Sequence, residues 1–182
     1  MNFIKVNHGL IKSKRNTLII FYFSVSIMLL ITSYSGYQSA TNFITKGKMV
    51  IGDVLVKTEF PFKGTIKLVT YLMVFSLISW FTAIKIYENS IRNLKVRIKT
   101  FIQIISIIAA TITIYELIYN FMVWNSLITS NLFSNIFDPN NEKINYPMPE
   151  TPWNLYFATQ MLLAAVIITF HSSYVMTKSK KS

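Results

Sequence analysis

The chain has 182 residues, of which 52% are hydrophobic and only 14% charged, and Lys and Arg outnumber Asp and Glu by 18 to 7. A soluble domain averages about 25% charged residues, and a mean hydropathy of +0.43 excludes a disordered chain, which requires low hydrophobicity. The lack of cysteine excludes disulfides, thiolate metal sites, iron–sulfur clusters and thiol redox chemistry. These figures describe an all-α membrane protein whose net charge of +11 lies outside the lipid.

A spanning helix takes about 20 mostly apolar residues, and four segments meet that requirement. The first, 17–37, holds no charge and follows Lys12, Lys14 and Arg15. Its apolar run exceeds the roughly 7–15 residues of a signal-peptide core, so it reads as a retained helix. The second, 66–86, has Lys67 and Lys85 at its two ends, where long side chains snorkel to the interface. The third, 100–124, contains one charge, Glu116, and the fourth, 153–176, has His171 near its end. Tyr37, Tyr71, Trp80, Trp124 and Trp153 lie toward the span edges as a loose aromatic belt.

The spans leave a short basic inner loop, 87–99, and two long outer loops, 38–65 and 125–152. In the first outer loop, Met49 to Lys57 is rich in β-branched residues and reads as a short strand or an interfacial segment. In the second, Leu132 to Phe137 is an apolar patch and Asp138-Pro139-Asn140-Asn141 is a turn. Pro147, Pro149 and Pro152 favour an extended path, with Thr151 as N-cap and Pro152 as the first residue of the fourth helix. Loops this apolar need a surface to cover. Phe133, Phe137, Tyr146 and Trp153 are the interface candidates. No internal repeat is visible, which speaks against an inverted-repeat transporter within one chain.

Charge placement sets an expected orientation. Twelve of the 18 Lys and Arg, with the single carboxylate of Glu88, fall on the side of the termini and the inner loop. The other six fall on the outer side with Asp53, Glu59, Asp138, Glu142 and Glu150. By the positive-inside rule both termini are cytoplasmic, as in a multi-pass plasma-membrane protein. The basic stretches flank spans and read as topology signal and contact with anionic lipid, not as a nucleic-acid surface.

Each span has a small or polar stripe of the kind that marks helix–helix contacts in lipid. In the third it is Ser106, Ala109, Thr113, Glu116 and Asn120, spaced alternately three and four apart. The second offers Ser76, Ser79 and Ala83, the fourth Ala158, Ala165, Thr169 and Ser172, and the first Ser26, Ser33, Gly36 and Ala40. A four-helix bundle accounts for most of these. Glu116 stands apart, because an intramembrane carboxylate is a functional hypothesis by default. Three readings stay open for it: a structural or intersubunit contact, a proton- or cation-coupling site in a small transporter or channel, and a metal ligand or catalytic acid. Hydrogen bonds to Asn120, Tyr115 or Tyr119 would lower its cost.

His8 and His171 both fall on the inner side, away from Glu116, so the chain offers no pair with metal-ligand or haem spacing. His171 reads as an interfacial hydrogen-bonding residue. Asp138, Glu142 and Glu150, with Asn140, Asn141 and Asn145, lack the glycine-containing spacing of a calcium loop. There is no nucleophile elbow and no phosphate-binding glycine loop. The expectation is a chain that is not itself an enzyme and holds no cofactor.

The run Pro149-Glu150-Thr151-Pro152-Trp153-Asn154-Leu155, continuing through Tyr156-Phe157-Ala158-Thr159-Gln160-Met161, resembles small accessory membrane subunits proposed for the archaeal ammonia monooxygenase. The Ile-, Asn- and Lys-rich, cysteine-free composition is similar too. That resemblance implies a copper enzyme whose metal ligands lie in partner chains. It agrees with the leading expectation, a non-catalytic subunit surrounded by other integral membrane chains. The alternative is a small coupled transporter or channel that uses Glu116.

Overall fold

The computed structural model describes residues 3–47, 51–136 and 152–180. In chain order they form α1 (Phe3–Lys46), α2 (Ile51–Lys57), β1 (Glu59–Phe60), β2 (Ile66–Lys67), α3 (Leu68–Ile86), α4 (Glu88–Arg92), α5 (Val96–Ile136) and α6 (Trp153–Lys180). Four of these, α1, α3, α5 and α6, are long and apolar enough to cross a membrane. A helix satisfies its backbone groups internally, which is what lipid demands of a spanning segment. The protein is an all-α membrane protein with four candidate spans, as the apolar runs predict.

Two of the helices outrun their expected ends. Residues 38–46 and 125–136, read from sequence as loop, continue α1 and α5. At 1.5 Å per residue the two helices are each over about 60 Å long, roughly twice the hydrocarbon thickness of a bilayer. The physical reason is local. Neither stretch contains Pro or Gly, so falling hydropathy does not stop the helix. What stops α1 is Gly47, at φ 67°, whose N–H donates to the Phe43 carbonyl at 2.9 Å in a left-handed C-terminal cap.

Of the two readings open for the segment between α1 and α3, a short strand or an interfacial segment, the strand does not form at Ile51–Lys57. Ile51–Lys57 is a helix, not a strand, and Lys57 lies 3.0 Å from the Asp53 carboxylate one turn back. Strand pairing comes later, with Glu59 opposite Lys67 and Phe60 opposite Ile66 in an antiparallel hairpin. Gly64, at φ 85°, makes the reversal, and its N–H donates to the Glu59 carboxylate at 2.6 Å. Thr65 donates its hydroxyl to the Phe60 carbonyl at 2.8 Å. The second span therefore begins at Leu68, with Ile66 and Lys67 in the hairpin.

The four long helices form a bundle that is an open row. α1 packs on α3, α3 on α6 and α6 on α5, while no extensive contact between α1 and α5 closes the row among the described residues. At the hairpin end, α2 tucks against α1, α3 and α6. There Leu55, Val56, Leu68 and Val69 form the core, with Ile31, Tyr71, Trp153 and Phe157 against it. Lys67 adds a cation–π contact, its ammonium 4.3 Å from the Tyr156 ring centre.

Elsewhere the large apolar side chains point outward, Leu30, Phe101 and Ile112 among them, as suits a surface solvated by lipid. Small residues fill the seams. On α1 the buried ones are Ser24, Ser35 and Ser39. This corrects the stripe read from sequence, because Ser26, Ser33 and Ala40 are exposed. Serines lie on several sides of this helix, so spacing alone does not identify the side that α3 and α2 cover.

Candidate functional site

The polar stripe of α5 divides in two. Three rungs join α5 to α6. Gln103 Nε2 donates to Thr177 Oγ1 at 3.0 Å, Ser106 Oγ donates to Ser172 Oγ at 3.0 Å, and Asn120 Nδ2 reaches Thr159 Oγ1 at 3.5 Å. Ser106, Asn120 and Ser172 are all buried. Thr113 is half-buried and donates its hydroxyl back to the Ala109 carbonyl at 2.9 Å, one turn earlier in its own helix. Ser106 and Asn120 of the sequence stripe thus lie in a seam between α5 and α6.

Glu116 does not share that seam. Its side chain is exposed on the flank of α5, the edge helix of the row. Asn120, expected as its hydrogen-bond partner, is turned to Thr159 instead. Tyr115 and Tyr119 are exposed beside it. Among the described residues Glu116 has no hydrogen bond or ion pair. The rungs run antiparallel and set Glu116 level with about Leu163, near the middle of the 153–179 span of α6. A charge at the centre of a spanning helix costs about 3 kcal/mol on the insertion scale. Here nothing within the described chain offsets that cost.

The interface candidates part ways as well. Trp153 is taken up inside the chain, where its ring lies over Gly52 of α2 and packs on the hairpin-end core. Phe133 is exposed near the far end of α5. Phe137 and Tyr146 lie outside the described residues, as do Thr151, Asp138, Glu142, Glu150 and the neighbouring asparagines. Pro152 precedes α6, and its carbonyl accepts from the N–H groups of Leu155 and Tyr156.

One feature at the basic end is not legible in the sequence. Lys99, grouped with the surface cations by its position in the loop, is buried. Its ammonium donates to the carbonyl oxygens of Arg92 and Ser179, each at 2.8 Å. A cation there meets the C-terminal carbonyls of both α4 and α6, the negative ends of their dipoles. His171 fits its expected hydrogen-bonding role: its Nδ1 accepts from the Trp80 indole N–H at 3.2 Å. Phe81 lies edge-on to the imidazole, with ring centres 4.6 Å apart.

No group of three His, Asp or Glu that could hold a metal ion occurs among the described residues. Comparison of the chain with protein-family models, with curated proteins and with solved structures gives no match.

Proposed function

We propose that this protein is a non-catalytic integral subunit of a larger membrane complex, seated against another membrane chain along the α5 flank. The observation that carries the reading is Glu116: a carboxylate without a partner among the described residues, near mid-height, exposed on the outermost helix of an open row. Lipid offers no partner at that level. A neighbouring helix with a Lys, Arg, His or amide donor does. A second copy offers no cation there, because the described spans carry no Lys or Arg near their middles.

The open row supports the same reading. Among the described residues α1 and α5 each pack extensively on one other long helix, and exposed apolar groups such as Ile44 and Phe133 lie toward their ends. The excess of Lys and Arg on the side of the termini supports a reading in which both termini are cytoplasmic in a plasma-membrane protein. The resemblance of the Pro149–Met161 run makes a copper monooxygenase one complex of this class, with the metal held by other chains. In the transporter reading, an edge residue outside any passage within the row lines a pathway only when a second chain completes it.

Purification of the native protein in mild detergent tests the proposal. Other membrane polypeptides are expected to co-purify in fixed ratio. A monodisperse monomer free of other chains contradicts it.

A further inference from the structure

At the basic end of the row a cleft of about 500 Å³ opens between α3, α4 and α6. Its lining is ordered by depth. Lys85, Arg92 and Lys178 come from the helix ends, opposed by one carboxylate, Glu88. One to two turns further into the span the lining becomes Phe81, Val175 and His171. Because an indole N–H only donates, the Trp80 bond makes His171 Nδ1 an acceptor, and a neutral ring then carries its proton on Nε2 as a further donor.

We propose that this cleft binds the phosphate-bearing headgroup of an anionic membrane lipid. Lys85 and Lys178 alone outnumber the one carboxylate among the described lining residues, Glu88, and so favour an anion. The ends of spanning helices lie at headgroup level, so the cations sit where a lipid phosphate sits. The apolar lining below them lies where acyl chains begin. A free phosphate uses only the upper half of such a cleft, whereas a lipid uses both. The volume falls in the range of small-molecule pockets. The site is remote from the Glu116 flank and does not depend on the subunit reading.

Native mass spectrometry of the full chain in detergent, supplied with phosphatidylglycerol or phosphatidylcholine, tests this. The parent protein is expected to retain one phosphatidylglycerol in preference to phosphatidylcholine by roughly tenfold, from cation–headgroup attraction. K85Q/K178Q should lose that preference. K95Q/R97Q, which removes the same charge from the same end outside the cleft, should keep it. V175W fills the cleft without changing any charge and should also expel the lipid, so the test stands even where K85Q/K178Q loses its helical circular dichroism. Equal retention of the two lipids overturns the proposal. So does equal loss in K95Q/R97Q, or displacement of the lipid by millimolar inorganic phosphate, which would identify a soluble phosphate as the ligand.

Discussion

Lys99 donates from its ammonium to the carbonyl oxygen of Ser179, 2.8 Å away and 80 residues distant in sequence. The same ammonium holds Arg92 through its carbonyl. One buried cation thus ties the start of α5 to the ends of α4 and α6. Hydrogen bonds from charged donors are each worth about 1.5–3 kcal/mol. Lys99→Met keeps the length and removes both, so it should destabilise the protein by about 2 kcal/mol or more. Lys95→Met, at an exposed position, should stay within about 0.5 kcal/mol. Reversible unfolding in mixed detergent micelles measures both. Equal effects would show that Lys99 acts as surface charge alone.

Gly52 and Gly36 make opposite forecasts. A Cβ on Gly52 would lie 2.5 Å from Cζ3 of Trp153, whereas one on Gly36 meets nothing within 4 Å. Gly52→Ala should cost about 1–3 kcal/mol, because the indole must move out of the hairpin-end core. Gly36→Ala sits mid-helix and should gain about 0.5–1 kcal/mol from helix propensity. Thermal unfolding of the two variants, with Trp fluorescence reporting the indole, distinguishes them. A stable Gly52→Ala variant with unchanged fluorescence would refute the packing.

The Ser106–Ser172 rung should show modest coupling. Hydrogen bonds between membrane helices average about 0.6 kcal/mol in double-mutant cycles. Ser106→Ala, Ser172→Ala and the double variant should yield a coupling of that order, with the double variant close to the parent in stability. Zero coupling would mean that the serines matter only for their size.

The spans were legible because lipid imposes one simple rule, a long apolar run, and four such runs exist. The α5 stripe is legible in part: Ser106, Thr113 and Asn120 recur on one side of an Ile-rich helix, whereas Gln103, which makes a rung of its own, lies outside the stripe read from sequence. On α1 the rule failed, since serine lies on several sides and only the packing of α2 and α3 selects Ser24, Ser35 and Ser39. Falling hydropathy past Gln38 and Asn125 marks no helix end; at α1 the stop is Gly47. The order α1–α3–α6–α5 rests on tertiary contacts that no local pattern records. That order turns Glu116 from a member of the seam into an outward-facing group on an edge helix.

On the subunit reading, Glu116 faces another protein. A photo-reactive amino acid placed at position 116, activated in native membranes, tests this most directly. A discrete crosslink between this chain and a different membrane polypeptide is expected, weakened when the photo-reactive group is moved to position 110, which is buried inside the row. Crosslinks to lipid alone, or to a second copy of this chain alone, would contradict it.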